Sequence, residues 1–505
     1  MTTSFTINGN WVGLSATKTI WEAAQELGIF IPTLCYKKGY HAHTSCMLCC
    51  VEEQKSGKLL PSCTALAQEG MQISTDNARV KEFRKRTLEL LLSEHTGDCE
   101  APCTRICPAH INLPKMIRMI QENRMKEAIA IVKQEIPFPR ILGRICPAPC
   151  EKGCRRKQYD SPVAICDLKR FAGDESRFYC TEYKASNGKK IAIVGAGPAG
   201  LSCAFYLAQE GYQCEIFDDH PKAGGMLRYG VDREKLPESV LDEEIESICQ
   251  TGITFFPGKK LGKDINLQEL SQGFQGVVVA CGKNQDNALD SMAVHPRSFQ
   301  SSIPHVFIHN IPCSMAVQAC ANGKRIAYNM HSFLQGKEET APVSLLSPSL
   351  LPALMPEEIQ EFAKESSLGG RVSMIEGNDK GYLLEEAKKE ASRCLHCDCH
   401  KVSSCLLKKY AQEYNAKQKK IPLSSFIRNT SHSHIVHEPG KCIKCGLCVK
   451  ICEEKGEAIG MSFLGRGFSL QTGIPFQKSL QEGVSLAYRE CVESCPVGAL
   501  AWKKD

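Results

Sequence analysis

The sequence predicts a multidomain chain of mixed α+β and α/β class, and three observations predict it. Its 505 residues leave room for more than one core, since domains usually run to roughly 100–200 residues each. Its 29 cysteines far exceed what packing requires and gather at short spacings. One run, "KKIAIVGAGPAGLSCAFYLAQEGYQCEIFDD", reads strand, glycine turn, helix, strand, with helical segments before it and turn-rich segments after it. The rest of the composition, 43% hydrophobic and 23% charged, is ordinary for a globular chain, so the cysteines are the anomaly.

The opening "MTTSFTINGN" has no basic start followed by an apolar run. The longest apolar candidate elsewhere, "VSLLSPSLLPALM", is broken by Ser and Pro. The expectation is a cytoplasmic protein without a membrane span. In a reducing compartment, cysteines at short fixed spacings bind metal more often than they form disulfides. The formal charge of +6 counts every thiol as neutral. Each four-thiolate cluster with a 2+ core adds about −2, so five clusters, one with a histidine ligand, would leave roughly −3. Basicity therefore gives no argument for nucleic acid, and none is expected as a partner.

Residues 1–75 open with "TSFTINGNWVGL", whose alternation around Asn8-Gly9 is the strongest short hairpin signal. In "TIWEAAQELGI", Ile20, Ala23, Ala24 and Leu27 share a helical face, and Gly28 stops the helix. A loop with Cys35, Cys46, Cys49 and Cys63 follows. Residues 76–185 have helical apolar spacing with cysteines between the helices. Residues 186–336 hold the strand–helix–strand unit, a buried strand in "GVVVACG" and a later helix from Ser314 to Leu334. Residues 337–392, rich in Pro, Ser and Glu, read as a connector with one or two helices. Residues 393–435 carry "CLHCDCHKVSSC" and a lysine-rich helix, and residues 436–505 carry "CIKCGLCVKIC" and "CVESCPVGAL".

Four thiolates converging from a loop and a neighbouring turn can hold a 2Fe-2S cluster, and Cys35, Cys46, Cys49 and Cys63 supply them. Cys50 is left out because adjacent side chains diverge. The pattern resembles the 2Fe-2S domain that begins the large iron-sulfur subunit of respiratory NADH dehydrogenases and many iron-only hydrogenases, which implies a β-grasp fold. "EHTGDCEAPCTRICPAH" and "GRICPAPCEKGC" together resemble the amino-terminal domain of the glutamate synthase small subunit and of dihydropyrimidine dehydrogenase. That resemblance implies a helical domain in which two 4Fe-4S clusters share ligands crosswise. Carried over, one cluster takes Cys99, Cys103 and Cys154, the other Cys107, Cys146 and Cys150, and each is one ligand short. His95 is the candidate for the first, because His-x3-Cys also occurs in the NADH dehydrogenase large subunit, where that His ligates a 4Fe-4S cluster. For the second, the family often uses Glu or Gln where this chain has Lys169, whose ammonium has no lone pair for iron. Cys166, one helical turn earlier, is the candidate instead.

Cys394, Cys397, Cys399 and Cys405 read as one further set, and their spacing does not choose between a 4Fe-4S cluster and zinc. In the tail, Cys442, Cys445, Cys448 and Cys452 have the bacterial ferredoxin spacing, in which the fourth cysteine serves a second cluster. The first three then need Cys495, which precedes Pro496. Ser485 and Tyr488 stand where two ligands of the second cluster belong, so Cys452 and Cys491 read as core remnants of a lost site. The tail resembles the ferredoxin domain of iron-only hydrogenases.

In "GAGPAG", Gly195, Gly197, Pro198, Ala199 and Gly200 link a strand to a helix, and Asp218 closes the next strand. Such a turn lets a pyrophosphate approach the backbone at a helix N-terminus while the acid meets ribose hydroxyls. "AGGMLRYGVDREKLP", with Gly225, Met226 and Leu227, resembles the flavin-contacting stretch of the glutamate synthase small subunit, which implies FAD rather than NAD(P). That family's second dinucleotide-binding domain should follow Gly282. Here only "KNQDNALDSMAVHPRSFQSSIPH" intervenes before "VFIHNIPCSMAVQACANGKRIAYNM", which resembles the closing FAD segment, with Asn310 near the position of the usual Asp. A truncated Rossmann-like FAD domain lacking the NADPH subdomain is expected.

The combined expectation is one 2Fe-2S cluster, about four 4Fe-4S clusters and FAD, with no constellation of catalytic acid, base or nucleophile. The resemblances imply an electron-transfer subunit of a multisubunit oxidoreductase of the bifurcating hydrogenase, formate dehydrogenase or transhydrogenase type. Its partners would be an NADH-oxidising flavoprotein, a hydrogenase or formate dehydrogenase catalytic subunit, or a ferredoxin, docking at the two ends of the chain. The rival readings are a self-sufficient NAD(P)H-dependent reductase and a zinc-stapled scaffold.

Overall fold

The computed structural model describes residues 3–14, 18–177, 179, 181–249, 252–282, 292–337, 354–364, 366–373, 381–418 and 428–503. Much of the expected connector, with most of "VSLLSPSLLPALM", lies outside them. The chain divides into two compact units, and neither is continuous. Residues 1–100, 345–362 and 398–505 form the first, and residues 101–344 and 363–397 the second. The segments expected in series are therefore regrouped, because the chain leaves the first unit near residue 100, rejoins it over residues 345–362 and returns to it finally near residue 398.

The first unit begins with β1 (Thr3–Ile7) and β2 (Asn10–Leu14), an antiparallel pair in the register Ile7 to Asn10. Asn8 and Gly9 take left-handed backbone, φ +50° and +82°, as a two-residue hairpin requires. β3 (Cys50–Glu53), β4 (Lys58–Pro61) and β5 (Gln72–Ser74) complete a mixed sheet in the order β2-β1-β5-β3-β4. The helix Ile20–Glu26 starts in a Thr19–Glu22 capping box and buries Ile20, Ala23 and Ala24. Leu27, expected on that face, falls at the helix end and is exposed. The helix Ala78–Glu94 is capped by the Asn77 side chain, which accepts the Val80 N–H at 2.9 Å, and stops at His95. Replacing Asn77 by alanine is expected to cost about 1 kcal/mol, read from the denaturant midpoint.

The second unit starts with short helices, among them Pro102–Ile106, Leu113–Gln121, Pro139–Ile145 and Ile165–Glu175, which share one apolar core with the nucleotide-type sheet. Proline opens the first and third, where its missing N–H is no loss. The sheet comprises β6 (Lys190–Val194), β7 (Gln213–Phe217), β8 (Ile253–Phe256), β9 (Gly276–Val279) and β10 (Val306–Ile308), all parallel, in the order β10-β9-β6-β7-β8. Between β9 and β10, residues 292–305 form turns with bridges from Val294 to Ser301 and Gln300 to Phe307. Residues 283–291 lie outside the described residues. The helix Leu384–Ala391 ends next to Arg393, fully buried, which donates to Glu390 at 2.7 Å and Asp160 at 3.0 Å.

The chain then returns to the first unit with the helix Leu406–Glu413, β11 (Ile435–His437), the helix Leu447–Lys455, β12 (Ser462–Leu464), β13 (Gln471–Gly473), the helix Tyr488–Ser494 and β14 (Leu500–Trp502). β11 pairs with β14, and β12 with β13, both antiparallel. The two ends of the sequence do not stand apart. Lys37 and Tyr40 both donate to Glu490 at 2.7 Å, and Cys35, Cys46, Cys405 and Cys445 lie in one apolar core. These contacts tie the Cys35 loop to the tail.

Candidate metal centres and nucleotide site

In the first unit the loop after the helix Ile20–Glu26 meets the β3–β4 region, bringing Cys35, Cys46, Cys49 and Cys63 together, all buried. The Cys49 and Cys63 sulfurs are 3.3 Å apart. Hydrogen bonding from Cys46 draws the Cys35 thiol down to about 6, and hydrogen bonding from Cys63 draws Cys49 down to about 7. Their partners Cys46 and Cys63 move up, through the same sulfur–sulfur contacts and through burial. Four thiols, two poised as thiolates, form the donor set of a positively charged iron centre. Cys50 is buried too, its thiol pushed up to about 12 by burial and by Cys49, and its carbonyl accepts from Arg84 at 3.1 Å.

Cys442, Cys445 and Cys448 line one cavity together with Cys495. Gly446, at φ +76°, starts the helix between them and lies against the His43 ring, where a Cβ would stand 2.6 Å from Cδ2. The Cys442 sulfur accepts from the Thr472 hydroxyl and the Lys444 N–H, both at 3.3 Å. Thr472 in turn bonds the buried His437 ring at 3.2 Å. Neither residue carries a sequence signal, because β13 reaches the cysteines only through the fold. Cys452 and Cys491 are not among the residues lining the cavity; they sit in an apolar core against which Cys448 and Cys495 pack, their sulfurs 3.8 Å from each other.

In the second unit, Cys107, Cys146, Cys150 and Cys166 surround the buried Lys169. Its ammonium is 3.7 Å from the Cys166 sulfur. Burial works against that charge, but the four thiols outweigh it and hold Lys169 well above its usual range. Among the described residues no carboxylate forms an ion pair with it.

A cavity of this unit is lined by Cys103, Cys154, Cys394 and Cys397. Arg156, two residues after Cys154, donates to the Arg393 carbonyl at 2.9 Å, just before Cys394. The Glu390 carboxylate accepts the Ala164 N–H at 2.8 Å and binds the segment further. These placements differ from two of the groupings read from spacing. Cys99 does not share the cavity of Cys103 and Cys154, and Cys394 and Cys397 do not share a unit with Cys399 and Cys405. The physical reason is the passage of the chain from one unit to the other between Cys397 and Cys399.

Cys99, Cys399 and Cys405 belong to the first unit, as does His95. The Cys399 N–H donates to the Cys99 carbonyl at 3.2 Å. Burial pushes the Cys405 thiol up to about 12, with Cys399 and Cys99 adding to the shift. His95 is buried, which lowers it to about 4 and keeps the imidazole neutral, and it hydrogen-bonds the Lys441 backbone.

At the nucleotide turn, Gly195 has φ +107°, and a Cβ on Gly200 would fall onto the Gly195 carbonyl oxygen. Gly197 faces open space at the start of the helix Pro198–Gln209, so the turn leaves room for a phosphate against the helix N–H groups. Asp218 accepts the Ala196 N–H at 2.6 Å and the His220 N–H at 2.9 Å, which fixes the carboxylate beside that turn. Gly225 packs on Gly197, Leu227 is buried, Met226 is exposed, and Asn310 follows β10 at the surface. The donor set and the opening fit a dinucleotide pyrophosphate.

Three family models match segments of the chain. They are the 2Fe-2S iron-sulfur cluster binding domain over residues 1–78, the 4Fe-4S cluster domain II of dihydropyrimidine dehydrogenase over 84–179, and the NAD(P)-binding Rossmann-like domain over 193–256. The chain is 42% identical over 195 residues to the NADPH-Fe(3+) oxidoreductase subunit beta of Geobacter sulfurreducens, covering 37% of this chain and 29% of that protein. It is 35% identical over 231 residues to the NADP(+)-dependent formate dehydrogenase subunit beta of Moorella thermoacetica, covering 41% and 32%. It is 33% identical over 217 residues to the glutamate synthase small chain of Bacillus subtilis, covering 39% and 44%. The chain thus spans less than half the length of each of these relatives. Among the described residues no helix is long and apolar enough to cross a membrane.

Proposed function

We propose that this chain is a cytoplasmic electron-transfer subunit of a multisubunit oxidoreductase of the hydrogenase, formate dehydrogenase or transhydrogenase type. It relays electrons between partner subunits that hold the catalytic sites. The observation that carries this reading is the closure of thiols into sets of four: Cys35, Cys46, Cys49 and Cys63; Cys442, Cys445, Cys448 and Cys495; Cys107, Cys146, Cys150 and Cys166; Cys103, Cys154, Cys394 and Cys397. The first would hold a 2Fe-2S cluster and the others 4Fe-4S clusters. Gly195, Gly197, Pro198, Ala199, Gly200, Asp218, Gly225, Met226, Leu227 and Asn310 would hold FAD. When bound, the clusters carry single electrons and the flavin exchanges one or two.

The protein's own part is to set charge and access. The Thr472 hydroxyl and Lys444 N–H stabilise negative charge on Cys442, which favours the reduced form of that site. Lys169 does the same for the Cys107 set with a full charge. Replacing Lys169 by methionine is expected to lower the midpoint potential of that cluster by on the order of 100 mV or more, since the charge stands 3.7 Å from a ligand sulfur and acts in an effective dielectric of about 20. An electron paramagnetic resonance titration reads the shift.

Iron, sulfide and flavin analysis of anaerobically purified protein tests the reading, together with identification of what co-purifies. Iron and sulfide in near-equal amounts, with one flavin per chain, support it. Zinc, or no metal, ends it in favour of a scaffold. Visible absorbance bleached by NADPH with this chain alone would favour the self-sufficient reductase.

A further inference from the structure

We infer that His95, Cys99, Cys399 and Cys405 hold one more 4Fe-4S cluster, in the first unit, and that the second unit, residues 101–344 and 363–397, is inserted in sequence between its second and third ligands. This rests on reading the chain as an iron–sulfur protein. The four residues come from two stretches of sequence nearly three hundred residues apart, yet all belong to one compact unit. They are all buried, at 6%, 7%, 5% and 8% exposure in that order. A backbone hydrogen bond of 3.2 Å joins the Cys399 N–H to the Cys99 carbonyl, so the two strands of chain meet where the insertion departs and returns.

The same ground holds the other two residues. The Thr96 N–H donates to the Gly440 carbonyl at 2.7 Å, seating the His95 turn on the segment before Cys442. Gly498 sits directly on the Cys399 sulfur, where a Cβ would collide with it, and its neighbourhood includes Lys441. The Leu406 N–H donates to the Pro496 carbonyl at 2.9 Å, which brings Cys405 to the same loop. A hydrogen bond from a ligating imidazole to a backbone group is the usual device that orients its other nitrogen toward a metal, and His95 makes one to Lys441.

Composition of the second unit's cavity supports the partition. Cys103, Cys154, Cys394 and Cys397 already supply four thiols there, so neither Cys99 nor Cys399 is needed. Assigned this way, the chain's candidate ligands fall into five sets of four, each within one unit. Grouped by local spacing instead, the Cys99 set and the Cys394 set would each draw on both units.

Iron content of the full-length chain decides between the two partitions. Wild type should carry about 18 iron atoms, from one 2Fe-2S and four 4Fe-4S clusters. Cys99→Ser and Cys399→Ser should each lose about four, and the double variant should also lose only about four, with one and the same paramagnetic signal missing from all three. A double variant that loses about eight, with two signals gone, overturns the inference. Wild type without iron would instead overturn the reading on which it rests. If the serine variants also lose the 2Fe-2S signal through misfolding, His95→Cys decides. It should keep about 18 iron atoms and shift only the signal in question, and an unshifted spectrum overturns the set.

Discussion

Replacing Cys495 by serine is expected to remove about four iron atoms per chain, whereas replacing Cys452 or Cys491 by alanine should leave the iron content at its wild-type value. The contrast is sharp because all three cysteines stand in what reads as one ferredoxin motif. Cys495 lines the cavity of Cys442, Cys445 and Cys448, while Cys452 and Cys491 face each other in an apolar core. The alanine variants should lower stability by about 1–2 kcal/mol through the small cavities they leave. Iron and sulfide assays, with the 2Fe-2S signal as an internal control for folding, check both halves. Iron lost from the Cys452 or Cys491 variant would mean that a second tail cluster survives after all.

The second large effect is expected at the nucleotide turn. Gly200→Val should abolish flavin binding and destabilise the second unit by about 3 kcal/mol or more. Its side chain would drive into the Gly195 carbonyl, at the crossing where the helix Pro198–Gln209 lies closest to the end of β6. Gly197→Ala is the control, since its Cβ would meet nothing within 4 Å of protein. That variant should fold normally and still bind flavin poorly, because the methyl would occupy the space a pyrophosphate needs. Flavin release measured by fluorescence after acid precipitation separates the two. A Gly197→Ala protein with a full complement of flavin would place the phosphates elsewhere.

The elements were legible where local chemistry dictates them. Asn8-Gly9 specifies a hairpin, the alternation on either side fixes its register, and the glycine turn at Gly195 specifies a strand-to-helix passage. The contents of some sites were legible for the same reason: Cys442, Cys445 and Cys448 lie on one turn, and Cys166 and Lys169 lie one helical turn apart. What spacing could not show is the exchange between Cys397 and Cys399. Two residues apart in sequence, they enter different units, because the fold resumes an interrupted domain there. Thr472 was invisible on similar grounds, being brought to Cys442 by the pairing of β12 with β13 rather than by proximity in sequence.

The interrupted first unit also sets an order of assembly. A ribosome adding roughly 5–20 residues per second needs on the order of 15–60 s to traverse the roughly 300 residues between Cys99 and Cys399. During that interval the second unit can complete its fold while the early cysteines wait, unpartnered by the late ones, for the end of translation. A nascent chain arrested at about residue 400 is expected to show a protease-resistant second unit and a labile amino-terminal segment. Delivery of iron to the Cys442 set, and to the set of His95, Cys99, Cys399 and Cys405, would then be a late, post-synthetic event.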